Sequence, residues 1–106
     1  MTERVVRILK VDTVEFAKAL ADETRQKIMA ICCCEKLSVN DIVAMLDVAQ
    51  PTVSHHLKIL KNAGLVITER HGKQVLYTIN QARLANACCQ VAESFAPEHP
   101  ITIIEE

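Results

Sequence analysis

Thiols are the most reactive side chains in this chain, and its five cysteines form two clusters. Cys32, Cys33 and Cys34 are consecutive, and Cys88 and Cys89 are adjacent. A secreted disulfide framework would space its cysteines apart, so the odd, clustered set favours reduced thiols in a cytoplasmic protein. Such thiols can be oxidised to a disulfide or can bind a soft metal ion or arsenite.

Cys33 and Cys34 are the strongest candidates for an oxidation switch. Asp22 is predicted to cap a helix that continues through Cys34, and both thiols should be accessible at its end. The Cα atoms of adjacent residues lie about 3.8 Å apart, closer than in ordinary disulfides, so a bond between them would be strained and readily reduced. Cys32 is predicted on an inward face and Cys88 on the apolar seam of the last helix, and the alternative for each is a small buried apolar residue without a role in sensing.

A soft-metal or arsenite site is the alternative use of the same thiols. Side chains of consecutive residues on an intact helix are rotated by about 100°, so the three consecutive cysteines cannot converge on one ion. A site would instead combine Cys33 or Cys34 with Cys89 on the last helix. Oxidation is slightly favoured because an adjacent pair needs no second element. No Cys-x-x-Cys motif and no nucleophile–base pair is indicated, so the sequence does not predict an enzyme.

Residues 38–79 predict a helix-turn-helix followed by a β-hairpin. Ser38 and Asp41 form a capping box that starts the first helix. Pro51 suits the first turn of the second helix, and Gly64 suits the position just after its end. Two crossed helices followed by a basic hairpin are typical of proteins that bind duplex DNA.

The second of these helices has a buried side and an outward side. Val53, Leu57 and Leu60 recur at i, i+4 and i+7, which predicts the buried side. The candidate contacts to base edges are Gln50, Thr52, Ser54 and His55. The candidate phosphate contacts are Lys58 and Lys61. The candidate wing contacts, to a minor groove or its backbone, are Arg70, His71 and Lys73. The alternative for each is a solvated surface side chain, and His56 is predicted to be structural.

The formal net charge of −1 hides an asymmetry. Residues 48–79 contain four Lys or Arg residues and one Glu, a net charge of +3, so the rest of the chain carries −4. A positive unit on an otherwise acidic protein suits contact with phosphates, although a solvated charged face would have the same composition. A dimer would double this charge and could span adjacent half-sites.

The last predicted helix has the pattern of a subunit contact. Asn80 is expected to cap it, and it runs from about Gln81 to Phe95. Its apolar positions, spaced i, i+4, i+7 and i+11, are Leu84, Cys88, Val91 and Phe95. One such seam outside the DNA-binding core is suited to packing on a second chain. The hydrophobic content of 50% in 106 residues also favours burial between subunits.

Two motifs are similar to those of a known family: residues 16–25, FAKALADETR, and residues 54–66, SHHLKILKNAGLV, followed by Tyr77. Over about residues 14–80 the chain resembles the ArsR/SmtB family of winged helix-turn-helix transcriptional repressors. The resemblance implies a mainly α fold with a small β-hairpin, homodimeric through its first and last helices, that binds operator DNA. The implied single domain, 1–106, has its reading helix at about 50–62, its wing at about 65–79 and its dimerisation helix at about 81–95.

Family patterns are missing at several positions. Where the family usually has a serine that caps the reading helix, this chain has Ala49. Gln50 or a water must therefore cap that helix instead. The family's arsenic and cadmium site falls at residues 37–41, which contain no cysteine. Its zinc site falls at Gln81, Arg83, Glu93 and about Pro97. The cysteines of persulfide-responsive members fall at Ala30 and about Ala96. None of these sites transfers.

The sequence therefore predicts a thiol-responsive repressor that binds operator DNA as a homodimer and releases it on oxidation. One alternative is a repressor that binds arsenite or a soft metal with the same cysteines. Another is an effector-independent DNA-binding or protein-interaction module. No membrane span or signal peptide is indicated, which predicts a cytoplasmic protein. Residues 5–9 suit either a short helix or an arm, and residues 98–106 are expected to be loosely ordered.

Overall fold

The computed structural model describes residues 12–99, which form five helices and a two-stranded antiparallel sheet. The elements are α1 (Thr13–Leu20), α2 (Glu23–Ile31), α3 (Val39–Leu46), α4 (Gln50–Asn62), β1 (Val66–His71), β2 (Gln74–Ile79) and α5 (Gln81–Phe95). The predicted mainly α fold with one small hairpin is confirmed. The predictions for residues 5–9 and for the tail beyond residue 99 lie outside the described residues.

Side-chain caps start α3 and α5 where the sequence predicts them. The hydroxyl of Ser38 accepts from the amide of Asp41, and the carboxylate of Asp41 accepts from the amide of Ser38, which completes the capping box. At the start of α5 the side chain of Asn80 accepts from the amide of Arg83. Each contact satisfies an amide that has no partner inside its own helix.

The end of α2 differs from the prediction. The helix ends at Ile31 rather than Cys34, with Cys32 as its C-cap, and Cys33 and Cys34 lie in the turn that follows. The physical reason is a contact distant in sequence. The carbonyl oxygen of Cys32 accepts from the amide of Ile79 at 3.1 Å, so it is satisfied by β2 instead of by a further helical turn.

The core is aliphatic and lies between the helices and the base of the hairpin. Its largest fully buried side chains are Ile28, Cys32, Ile42, Val53, Leu57, Leu60 and Leu65. α1 adds Phe16 and Ala19, which are buried, whereas Ala17 between them is exposed. Packing of α1 therefore uses the spacing i, i+3.

The hairpin has a tight turn at its tip and is hydrogen-bonded through β2 to the segment that precedes α3. β1 and β2 are joined by a two-residue turn, in which Gly72 has a φ of 62°, the sign that tight hairpin turns require. Leu37 and Tyr77 exchange backbone hydrogen bonds of 3.0 and 2.7 Å, which hold β2 against the start of α3. In the part of the chain described, no helix is long and apolar enough to cross a membrane.

Candidate nucleic-acid interface and thiol turn

α3 and α4 form the helix-turn-helix. Asp47 ends α3 in the left-handed conformation, with φ 56° and ψ 46°, which turns the chain sharply. α4 begins after Ala49 without any side-chain cap, so the prediction that Gln50 serves as one is wrong. The amides of Thr52 and Val53 both donate to the carbonyl of Ala49 at 3.1 Å, so the first turn closes through the backbone.

α4 separates its apolar and polar side chains as predicted. Val53, Leu57 and Leu60 are at most 1% exposed. The candidate DNA contacts of this helix are all exposed: Gln50, Thr52, Ser54, His55, Lys58 and Lys61. The side chains that can hydrogen-bond to base edges lie in the N-terminal half of α4, and the two lysines follow them. This order suits a helix that enters a groove by its N-terminus.

The wing tip carries the remaining predicted DNA contacts, and Arg70, His71 and Lys73 are exposed there. Nε2 of His71 lies 2.8 Å from Oε2 of Glu69, whose Oε1 lies 2.7 Å from Nζ of Lys36. The hydrogen bond of Lys36, followed by that of His71, lowers the pKa of Glu69. Within residues 12–99 neither Arg70 nor Lys73 has an ion pair, so both cations of the wing are available to phosphates.

His56 faces the protein interior, which confirms its predicted structural role. It is buried on α4, and its Nδ1 lies 3.0 Å from Nη1 of Arg25 in α2. Its Nε2 lies 3.9 Å from Oδ1 of Asp22, the N-cap of α2. These contacts set the position of α4 relative to α2.

Cys33 and Cys34 form an accessible pair of thiols. Both are exposed, and their Sγ atoms lie 3.0 Å apart. The hydrogen bond with Cys34, followed by desolvation, raises the pKa of Cys33. Cys32 is fully buried, as predicted, and burial raises its pKa to about 11. Cys32 is inaccessible to solvent as well as seldom a thiolate, so it is not a reactive candidate.

The thiol turn, residues 32–34, is hydrogen-bonded to the wing and to the last helix. The carbonyl of Cys32 accepts from the amide of Ile79 at 3.1 Å and from Oγ1 of Thr78 at 3.3 Å. The carbonyl of Cys33 accepts from Nε2 of Gln81 at 3.0 Å. A change in the backbone of this turn therefore has to alter contacts to β2 or to the first turn of α5.

The seam predicted on α5 divides between the core and the surface. Leu84 and Val91 are half-buried against the core, whereas Cys88 is exposed and Phe95 is 78% exposed. Ala87, the neighbour of Cys88, is turned to the core, so Cys88 is not buried within its own chain. The strip that contains Cys88 and Phe95 is the part of the seam that its own chain leaves uncovered.

Cys89 is also exposed on α5. Among residues 12–99 no group of three or more His, Cys, Asp or Glu side chains is arranged to hold a metal ion. The predicted combination of Cys33 or Cys34 with Cys89 is therefore not assembled as a three-ligand site within this part of one chain.

A helix-turn-helix with an exposed polar second helix and a basic wing defines the winged-helix class of transcriptional regulators. A family model described as "Bacterial regulatory protein, arsR family" matches residues 22–68. The chain belongs to this ArsR/SmtB family, which consists of transcriptional regulators and not of enzymes.

Curated relatives share most of the described chain. Identity is 43% over 72 residues with the HTH-type transcriptional repressor SmtB of Mycobacterium tuberculosis, covering 68% of this chain and 53% of that protein. It is 33% over 70 residues with the transcriptional repressor SdpR of Bacillus subtilis, covering 66% and 78%. It is 40% over 72 residues with the cadmium resistance transcriptional regulatory protein CadC of Listeria innocua, covering 67% and 60%. The chain thus spans between about half and three quarters of these relatives.

Solved structures with the same fold include an ArsR-like transcriptional regulator from Rhodococcus sp. RHA1, with a TM-score of 0.73 and 26% identity over 81% of this chain and 80% of that one. Another is the homodimeric winged helix-turn-helix DNA-binding domain of Mb0332 from Mycobacterium bovis. Its TM-score is 0.63 and its identity 27%, over 96% of this chain and 97% of that one.

Proposed function

We propose that this chain is a cytoplasmic transcriptional repressor that binds operator DNA as a homodimer and releases it when Cys33 and Cys34 are oxidised. The observation that carries this proposal is a pair of exposed thiols 3.0 Å apart, in a turn that is hydrogen-bonded to the wing. The relatives SmtB and SdpR are themselves named transcriptional repressors.

DNA binding is supported by the exposed polar sides of α4 and the wing. The side chains assigned to base edges are Gln50, Thr52, Ser54 and His55. The side chains assigned to phosphates are Lys58, Lys61, Arg70 and Lys73. His71 is the weakest of the wing contacts, because Glu69 already accepts its hydrogen bond and carries an opposing charge.

A homodimer is supported by the apolar surface that the first and last helices leave uncovered. Val14 on α1 is 61% exposed and Phe95 on α5 is 78% exposed. Exposed apolar side chains on these two helices would be covered by a second copy, together with Cys88 and the outer edges of Leu84 and Val91. Mb0332, which has the same fold, is homodimeric.

The oxidation step requires little movement. The Sγ atoms of Cys33 and Cys34 lie 3.0 Å apart, against about 2.0 Å in a disulfide. A peroxide takes two electrons from the two thiols; an S–S bond forms, both S–H bonds break, and the peroxide O–O bond is cleaved. Cys88 and Cys89 are the second adjacent pair, but they lie within a continuous helix whose backbone resists such closure.

Release of DNA follows from the hydrogen bonds of the thiol turn. Closing a ring between adjacent residues changes the backbone around the carbonyls of Cys32 and Cys33, which accept from β2 and α5. The wing and the last helix then shift relative to α4. To empty most operators, the oxidised form must favour the non-binding arrangement by about 3 kcal/mol.

Arsenite or a soft metal ion is the second candidate effector. Two exposed sulfurs 3.0 Å apart form a ready bidentate pair for a soft ion, and the relative CadC is named for cadmium resistance. Trivalent arsenic bound by Cys33 and Cys34 would close a ring over the same two residues. A third thiolate, from Cys89, would have to approach from another element.

The test is a gel shift with the DNA upstream of the chain's own gene. The reduced protein should bind it, mild peroxide should weaken binding and dithiothreitol should restore it. Mass spectrometry should find a loss of two hydrogens in the peptide that contains Cys33 and Cys34. Release by arsenite or cadmium without oxidation, with thiolate–metal absorbance, would assign the second effector instead.

Two double variants separate the thiol clusters. The Cys33→Ser/Cys34→Ser protein should bind DNA and ignore peroxide, while the matched Cys88→Ser/Cys89→Ser protein should respond like the natural chain. If the first variant responds fully, the switch does not lie in the thiol turn. If neither oxidant, arsenite nor cadmium changes binding, the chain is an effector-independent DNA-binding module.

A further inference from the structure

An open apolar cleft lies beside the thiol turn. The cleft has a volume of about 570 Å³, and its sides are formed by α1, α2, the end of β2 and the start of α5. Its apolar walls are formed by Leu20, Met29, Ala30, Ile79 and Leu84. This volume lies within the range of small-molecule sites, which are mostly apolar with a few polar groups at one edge.

The polar edge of the cleft consists of one thiol and two carboxamides. Cys33 lines the cleft, whereas Cys34 does not. Nε2 of Gln26 donates to the carbonyl of Leu20 at 2.7 Å, and Nε2 of Gln81 donates to the carbonyl of Cys33 at 3.0 Å. Each carboxamide therefore has one N–H committed and a second N–H able to donate to a ligand.

We propose that this cleft binds a small apolar α,β-unsaturated carbonyl compound and that Cys33 becomes alkylated by it. The proposal rests on the thiol-responsive function above and names a ligand class for the same turn. The apolar walls suit the ligand's hydrocarbon chain, the free N–H of Gln26 or Gln81 suits its carbonyl oxygen, and the thiol suits its β-carbon.

The reaction needs no oxidant. The thiol of Cys33 gives its proton to water, the sulfur bonds to the β-carbon, and the π electrons of the C=C bond move to the α-carbon, which takes a proton from water. The product is a thioether that retains every atom of the ligand. A hydrogen bond to the ligand's carbonyl oxygen stabilises the negative charge that develops there during the addition.

Residence in the cleft is what makes Cys33 selective. The hydrogen bond with Cys34 and desolvation raise the pKa of Cys33. Toward a reagent that is not bound in the cleft, this thiol should therefore react no faster than an exposed thiol of α5. Binding beside the sulfur replaces a collision in solution by a reaction within a complex. Cys89 is exposed, does not line the cleft and lies outside the proposed subunit contact, so it is the internal reference for ordinary thiol reactivity.

The experiment compares two ligands with the same reactive group. Pentyl vinyl ketone and methyl vinyl ketone differ only in the length of the apolar chain. Each is added to the reduced full-length protein in the absence of DNA, and adducts at Cys33 and Cys89 are followed by peptide mass spectrometry. Pentyl vinyl ketone should modify Cys33 about tenfold faster than Cys89, with a rate that saturates with its concentration. Methyl vinyl ketone should show neither the preference nor saturation.

Two matched variants test the location. Ala30→Phe fills the cleft from an exposed position on α2, and Ala44→Phe places the same side chain at an exposed position on α3 that does not line the cleft. Ala30→Phe should remove the preference for Cys33 and leave the rate at Cys89 unchanged, whereas Ala44→Phe should leave both rates unchanged. Equal rates at both cysteines in the natural chain, or an unaltered preference in Ala30→Phe, would overturn the proposal.

The outcomes for the cleft and for the switch are distinguishable, because adduct formation is measured without DNA. Loss of the peroxide response in the gel shift, with selective alkylation of Cys33 retained, would reject the proposed oxidation switch and leave the ligand site standing. An intact peroxide response without selective alkylation would reject the ligand site alone.

Discussion

Nη1 of Arg25 lies 3.0 Å from Nδ1 of His56, and this contact joins α2 to the middle of α4. A guanidinium can only donate, so Nδ1 of His56 accepts and the ring proton is on Nε2, which faces Asp22. The same guanidinium donates to the carbonyls of Ala19 and Lys18 at 2.7 and 3.0 Å. One side chain therefore holds the end of α1, the start of α2 and the reading helix together.

His56→Ala should lower the free energy of unfolding by about 1–3 kcal/mol, because it leaves a charged donor without its acceptor and opens a small void. His56→Asn should cost less, since its side-chain oxygen can occupy the place of Nδ1. Urea denaturation measures both. His55→Ala, at the exposed neighbouring position, is the matched control and should change stability by less than about 0.5 kcal/mol. Equal losses for the alanine and asparagine variants at residue 56 would contradict the assigned hydrogen bond.

Asp22 should make folding sensitive to acid. The amide of Arg25 donates to its carboxylate, and the positive charge of the Arg25 guanidinium adds to this, so the pKa of Asp22 is lowered from its ordinary value of 3.8. The stability that the ionised form contributes is therefore fully present above pH 3.8 and is lost as the pH falls through the lower value of the folded protein. Asp22→Asn should flatten the dependence of the unfolding free energy on pH in this acid range. A steep acid limb identical to that of the natural chain would exclude Asp22 as its source.

The capping box should contribute measurably to α3. Ser38→Ala removes the acceptor for the amide of Asp41 and should destabilise the protein by about 1 kcal/mol. Thermal denaturation measures the change. Asn40→Ala, an exposed position in the same first turn, is the control and should have little effect. A Ser38→Ala protein as stable as Asn40→Ala would show that solvent replaces the cap without cost.

Local signals made several elements predictable from the sequence. The bounds of α4 and α5 follow from Pro51, Gly64 and Asn80, each of which acts on backbone within a few residues of itself. The capping box of α3 is of the same kind. The membership of the ArsR/SmtB family could also be predicted, because residues 16–25 and 54–66 combine these signals with core spacing.

Contacts between distant residues were not predictable in the same way. α2 ends early because the carbonyl of Cys32 accepts from Ile79, a partner far along the chain. The pairing of Arg25 with His56 likewise depends on how two helices cross. Periodicity also located the apolar seam of α5 without saying which of its edges faces the core, which is the edge of Ala87 and not that of Cys88. The DNA and thiol assignments themselves stay predictions.

Base contacts and phosphate contacts should respond differently to substitution. Gln50→Ala or Ser54→Ala should relax sequence preference and cost about 1–3 kcal/mol at the specific operator, while non-specific binding is unchanged. Lys58→Ala or Lys73→Ala should weaken binding to all sequences and make it less dependent on salt. Gel shifts over a salt series, with operator and scrambled duplexes, measure both effects. Identical behaviour of the two groups would show that α4 is not the reading helix.

Phe95 should be central to the subunit contact. It is the most exposed large apolar side chain among the described residues, at 78%, and lies on the last helix outside the DNA-binding unit. Phe95→Asp places a charge where a second chain should bury a ring, so sedimentation should change from dimer to monomer.

Operator affinity of the monomer should then fall roughly 100-fold, because the two half-sites are no longer bound by one particle. Met45→Asp is the matched control: Met45 is 54% exposed on α3, away from the first and last helices, and its substitution should leave the dimer intact. If Phe95→Asp remains a dimer that binds the operator normally, the subunit contact lies elsewhere on the chain.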